Sequence, residues 1–169
     1  SMEPSPNGSR NSESLGNPEN CNSLRHLAAV DIGTNSTHLL IVTVDTSLNT
    51  FTIEFTEKST TRLGEIDSET GKLTPQAIER VLETLIRFKE LSDSYEVEHI
   101  IVVATSAVRE APNGIELIEK IKDQLCLEAS LVSGTEEARL IYLGILSGMS
   151  FSKHPYYLLD IGGGSTELI

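Results

Sequence analysis

Tryptophan is absent from this 169-residue chain, and four Tyr with four Phe bring aromatics to only 5%. A surface built to stack bases needs more than that. Positive charge is also scarce: 13 Lys and Arg stand against 25 Asp and Glu, a net charge of −12. No basic face for a nucleic-acid polymer is expected, and no basic helix for a membrane surface. Two cysteines, Cys21 and Cys126, are too few for a disulfide-dense secreted scaffold and suit a reducing compartment. No apolar run approaches the roughly 18 residues of a spanning helix. The N-terminal residues lack the charged-then-apolar pattern of an export signal. The expectation is a cytoplasmic α/β protein without membrane or nucleic-acid partners.

What is present falls into three stretches. Residues 1–24 are dominated by Ser, Asn, Pro and Gly, which bury too little apolar surface to offset their ordering entropy. A disordered tail over residues 1–26 is expected. A first domain over 27–133 should follow, then a connecting helix and the first strand of a second domain over 134–169. Leu27–Ile32, Leu39–Val44 and Phe51–Phe55 read as an antiparallel meander with a tight turn at Gly33–Ser36. Thr74-Pro75 reads as N-cap and first residue of a helix that turns Ile78, Val81, Leu82, Leu85, Ile86 and Leu91 inward to about Ser92. His99–Ala104 suits a buried central strand. Asn113 and Glu116 resemble a capping box before a helix with Ile118, Ile121 and Leu125 inward. A strand closing at Leu131–Val132 and a helix from Ser133 to about Gly148 complete a mixed sheet flanked by helices. Cys126, between Leu125 and Leu127, suits a core thiol.

The chemistry is carried by an internal repeat. Asp31-Ile-Gly-Thr-Asn-Ser-Thr37 recurs as Asp160-Ile-Gly-Gly-Gly-Ser-Thr166, each copy behind an apolar strand. A strand that ends in Asp and turns on Gly sets a carboxylate beside backbone N–H groups and hydroxyls, a nest for anions. The Asp of such a loop can hold Mg²⁺ or orient water. The glycines are expected at positive φ, close to the ligand. Either copy alone could be a simple tight turn; two matching copies favour a phosphate clamp. Between them, Arg109 follows the strand His99–Ala104, where it could grip phosphate bidentately or pair with Glu110. In Glu136-Glu137, Glu136 sits where a capping box needs it. Glu137 could then serve as a general base, or simply as an acid in a helix first turn. The four histidines are too scattered for a zinc site.

Four segments in order, D-I-G-T-N-S-T-H, A-T-S-A-V-R-E-A, S-G-T-E-E-A-R-L-I-Y and D-I-G-G-G-S-T-E-L, resemble the exopolyphosphatase / guanosine pentaphosphate phosphohydrolase family over residues 27–169. The resemblance implies ribonuclease-H-like domains of the actin-like, sugar-kinase-like ATPase superfamily. It also implies hydrolysis of terminal phosphoanhydrides of inorganic polyphosphate or guanosine pentaphosphate with Mg²⁺. By motif, Glu137 resembles the carboxylate that activates water, and Arg109 the phosphate-gripping arginine. Asp160 and Glu167 resemble metal-associated or water-orienting acids, with Asp31 as their counterpart in the first copy. Gly33, Thr34, Asn35 and Ser36 resemble one phosphate loop, and Gly162, Gly163, Gly164 and Ser165 the other. The chain would hold one complete domain, a connecting helix and an orphaned strand. That implies little turnover alone, self-association through the unpaired strand, and a homodimer in the complete protein. An ATP-binding sugar-kinase-type transferase and a non-catalytic phosphate- or nucleotide-binding module are the alternatives.

Overall fold

A computed structural model describes residues 23–133, together with the backbone of two short strands at 157–159 and 166–168. The elements are β1 (Leu24–Ile32), β2 (Thr37–Asp45), β3 (Thr50–Ser59), α1 (Pro75–Ser94), β4 (His99–Ala104), α2 (Ser106–Glu110), α3 (Gly114–Leu125), β5 (Ala129–Leu131), β6 (Tyr157–Leu159) and β7 (Thr166–Leu168). Five strands form one sheet in the order β3-β2-β1-β4-β5. The meander β1–β2–β3 is antiparallel, whereas β4 and β5 run parallel to β1. Alternation along the strands sends Ala28, Val30, Ile32, Leu39, Ile41, Val102 and Ala104 to the face packed by α1 and α3. Leu27, Ala29, Leu40, Val42, Val44 and Val103 take the opposite face, joined by Val132. Both faces are apolar and buried, as a central α/β sheet requires.

Phe51 and Phe55 are four residues apart and would share a face of a regular strand. They do not. The β2–β3 register slips between Ile41↔Phe55 and Val42↔Ile53, leaving Glu54 as an extra residue. This bulge sends Phe55 to the helix-covered core and Phe51 to the opposite cluster. Simple alternation could not show it.

Thr74 caps α1 as its type predicts: its hydroxyl accepts a hydrogen bond from the Ala77 N–H at 3.1 Å, and Pro75 opens the helix. The buried stripe runs through Ile78, Val81, Leu82, Leu85 and Phe88. Ile86 is exposed, because the helical period carries it around to solvent. In α3 the fully buried residues are Leu117 and Ile121, with Ile118 only at the margin. Cys126 is exposed at the α3 C-cap with φ 56°, so it ends a helix in the left-handed region and is no core thiol.

Asn113 does not close a capping box. Its side chain turns to the loop before α1, accepting from the Leu73 N–H at 2.8 Å and donating to the Leu73 carbonyl at 3.0 Å. That loop is itself a tight turn around Asp67. The backbone N–H groups of Thr70 and Glu69 hold the Asp67 carboxyl below its ordinary range, and Gly71 takes φ +71°. Asn113→Ala strips both hydrogen bonds from Leu73. A loss of about 1–3 kcal/mol in chemical denaturation is expected, with Asn113→Asp recovering only the bond in which the side chain accepts.

β6 and β7 pair antiparallel through Leu159↔Thr166. The strand expected to be orphaned thus pairs with β7, seven residues on from Leu159 to Thr166, in a two-stranded ribbon separate from the main sheet. The connecting helix expected from Ser133 lies outside the described residues.

Candidate functional site

Parallel pairing places the C-terminal ends of β1, β4 and β5 side by side. Ile32 is in register with Ala104, and Ala104 with Leu131. The Thr105 N–H donates to the Ile32 carbonyl at 3.3 Å, and the Val132 N–H to the Ala104 carbonyl at 2.9 Å. Three motif segments therefore leave the sheet at one edge: Asp31–Thr37 after β1, Thr105–Arg109 after β4, and Val132-Ser133 leading towards Glu137. The C-terminal edge of parallel strands is where open α/β sheets gather ligands.

The first loop spans four residues, 33–36, between β1 and β2, and the Gly33 N–H donates to the Ser36 carbonyl at 3.0 Å across it. Thr34 and Asn35 are exposed at its tip, while Asp31, Ser36 and Thr37 are buried. Glycine is favoured at position 33, but not for the reason expected from sequence. Among the described residues positive φ occurs at Asn49, Arg62, Gly71, Glu96 and Cys126, and not in this turn. A Cβ on Gly33 would instead meet the Ser36 carbonyl oxygen at 3.0 Å. Across the edge, the Thr34 hydroxyl lies 3.2 Å from the Ser106 hydroxyl. The first loop and the segment after β4, 72 residues apart in sequence, are thus in contact.

Arg109 sits on α2 and is partly exposed. Its guanidinium donates to the Val132 carbonyl at 2.7 Å and lies 4.0 Å from the Glu110 carboxylate, a separation too long for a hydrogen bond. The side chain therefore ties α2 to the strand end that enters the Ser133-Gly-Thr-Glu-Glu segment. Among the described residues no three His, Cys, Asp or Glu side chains gather as a metal centre. Asp31 is the described member of the expected acid set, on the strand face of Leu27 and Ala29. Glu137, Asp160 and Gly162–Ser165 lie outside the described residues, and of Glu167 only its backbone in β7 is described. Residues 160–165 fall between β6 and β7, so the second copy of the repeat, like the first, connects two antiparallel strands.

Sequence reasoning missed the segment after β3. Thr61 bonds Thr37 hydroxyl to hydroxyl at 2.9 Å, and the backbone N–H groups of Arg62 and Gly64 donate to the Asn35 and Thr34 carbonyls at 3.0 and 2.8 Å. The Arg-Leu-Gly-Glu run over 62–65, following Thr60-Thr61, carried no periodic signal, and its link to the loop crosses about 25 residues.

This geometry meets a clear set of relatives. A model of the Ppx/GppA phosphatase family matches residues 40–169. The chain belongs to the Ppx/GppA phosphatase family. Exopolyphosphatase 2 of Mycobacterium tuberculosis is 33% identical over 153 residues, covering 86% of this chain and 48% of that protein. Exopolyphosphatase 1 of the same organism is 30% identical over 142 residues, 84% of this chain and 41% of its own length. The crystal structure of the Aquifex aeolicus Ppx/GppA family member superposes with a TM-score of 0.65 at 31% identity, over 72% of this chain and 39% of that one. An exopolyphosphatase from Cytophaga hutchinsonii gives 0.63 at 33% identity, over 73% and 39%. The Ppx/GppA fold, an actin-like ATPase fold, is thus the fold of this α/β chain, which spans less than half the length of these relatives.

Proposed function

We propose that this chain is the phosphate-holding first part of a Mg²⁺-dependent phosphoanhydride hydrolase, acting on the terminal phosphate of inorganic polyphosphate or guanosine pentaphosphate. The observation that carries it is the convergence of three motif segments on the C-terminal ends of three adjacent parallel strands. Phosphoryl transfer needs positioning and charge neutralisation more than covalent chemistry from the protein. The loop Gly33–Ser36 supplies backbone N–H donors beyond Gly33, whose own N–H is bonded to the Ser36 carbonyl; Arg109 supplies a permanent cation, and Gly162–Ser165 the second loop. Asp31, Asp160 and Glu167 offer hard oxygen donors of the type Mg²⁺ takes. When bound, the ion neutralises charge on the phosphate oxygens. Glu137 takes the proton of the attacking water, and Arg109 orients the phosphate towards it. Arg109, the backbone N–H groups and the bound cation oppose the net charge of −12 locally, and its long-range repulsion is screened beyond roughly 10 Å at moderate salt.

The test is phosphate release from polyphosphate, guanosine pentaphosphate and ATP by a protein of the relatives' full length, with this chain alone run beside it. Mg²⁺-dependent release from one of the first two supports the reading. ATP consumption that needs a sugar acceptor would replace it with a transferase. This chain alone should show little turnover, since it spans less than half the length of the relatives. Homodimer formation by the longer protein belongs to the same proposal, and a monomer in sedimentation would remove it.

Arg109→Lys keeps the charge but loses the planar fork. Phosphate affinity should fall by about 1–2 kcal/mol, read by titration calorimetry. Equal affinity for both side chains would remove Arg109 from the site.

A further inference from the structure

The segment Thr61–Glu65 holds the tip of the first loop with its backbone, through the Arg62 and Gly64 N–H groups, and holds the start of β2 through the Thr61 hydroxyl. We propose that it is a positioning clamp that aims the Asn35 and Ser36 N–H groups at the bound phosphate, with Gly64 as its critical residue; this rests on the phosphate-site reading above. Peptide groups are planar, and no cis bond occurs among the described residues, so each carbonyl points opposite to the next residue's N–H. Gly64 N–H holds the Thr34 carbonyl, and Arg62 N–H holds the Asn35 carbonyl. Both carbonyls are therefore turned towards the clamp. The Asn35 and Ser36 N–H groups are turned away from it, as paired donors of an anion nest require.

The clamp is itself held firmly. Arg62 adopts φ 50°, a conformation costly for a side-chain-bearing residue and kept only where the surroundings impose it. Those surroundings are visible. The Arg62 carbonyl accepts from the Glu65 N–H at 3.1 Å and from the Arg80 guanidinium at 3.3 Å. Arg80, on α1, also donates to the Thr61 carbonyl at 2.8 Å and to the Glu65 carboxylate at 3.1 Å. The loop is thereby referenced to a long core helix.

Gly64 is exposed and does not take positive φ, so alanine would suit its backbone. One contact opposes alanine: its Cβ would stand 2.6 Å from the Thr34 Cγ2 methyl. The β-branched Thr34 must then rotate, breaking its contact with the Ser106 hydroxyl, or shift and strain the bond that Gly64 makes to its carbonyl. Thr34→Ser deletes that methyl and keeps the hydroxyl.

The experiment is a heteronuclear NMR titration of this chain with inorganic tripolyphosphate and Mg²⁺. Parent, Gly64→Ala, Thr34→Ser and the double variant are compared, each Gly64→Ala protein against its own background. In the parent, the Asn35 and Ser36 amide signals should move on titration. Gly64→Ala should weaken binding roughly tenfold or more in the threonine background and much less in the serine background. Should Gly64→Ala alone fail to fold, the double variant carries the test and must fold and bind. Equal losses in both backgrounds, or parent shifts that spare Asn35 and Ser36, would overturn the clamp while leaving a phosphate site standing. No binding by the parent would remove the phosphate reading and the clamp's role with it.

Discussion

Glu137→Ala, in a protein of the relatives' full length, should lower phosphate release by about 10²–10⁴-fold, the range of a lost general base. Phosphate affinity should survive nearly intact. The split follows from the division of labour in the proposed site. In that proposal backbone N–H groups of Thr34–Ser36 and Arg109 hold the anion, whereas Glu137 acts on the attacking water. Removing one carboxylate even lessens repulsion of a polyanion in a chain of net charge −12. The neighbouring Glu136→Ala is the internal control, since its expected role is that of a capping-box acid in a helix first turn and its loss should cost about 0.3–1 kcal/mol of stability. Single-turnover phosphate release and equilibrium binding, measured on the same preparations, check both halves. A Glu137→Ala protein that neither binds nor turns over would place Glu137 among the phosphate-holding groups instead.

Gly114→Ala should be the most damaging alanine substitution among the described glycines. A Cβ there would overlap the Val108 carbonyl oxygen and crowd the Val108 carbonyl carbon at 2.9 Å. Backbone cannot rotate away as a side-chain tip can, so α2 and α3 must separate. The expected loss is about 1–3 kcal/mol or somewhat more, as for other overpacked interiors. Because α2 carries both Ser106 and Arg109, the damage should reach the site. Denaturation should show the loss, and phosphate affinity measured where the variant is still folded should fall too. A variant as stable as the parent would mean that α2 does not rest on Gly114.

The sequence announced the meander, the capped helix and the central strand, because each rests on local signals such as Thr74-Pro75 or a β-branched run. It marked the loop after β1 and the segment after β4 as candidates, and Thr34 and Ser106 bring those two into contact. It could not announce the bulge at Glu54, which depends on the partner strand's register. Nor could it show that Asn113 bonds Leu73 across 40 residues rather than its own helix. Gly33 was legible as a favoured glycine and misread in cause: crowding at the Ser36 carbonyl, not a positive φ, sets the preference. The clamp of Thr61–Glu65 was invisible because backbone N–H groups carry no residue signature.

The central claim is that the joined ends of β1, β4 and β5 hold phosphate. Titration calorimetry of this chain with inorganic tripolyphosphate and Mg²⁺ tests it most directly. A single saturable site, weakened by Arg109→Ala by about 1.5–3 kcal/mol, is the expected result. No saturable heat, or a site indifferent to Arg109, would contradict it.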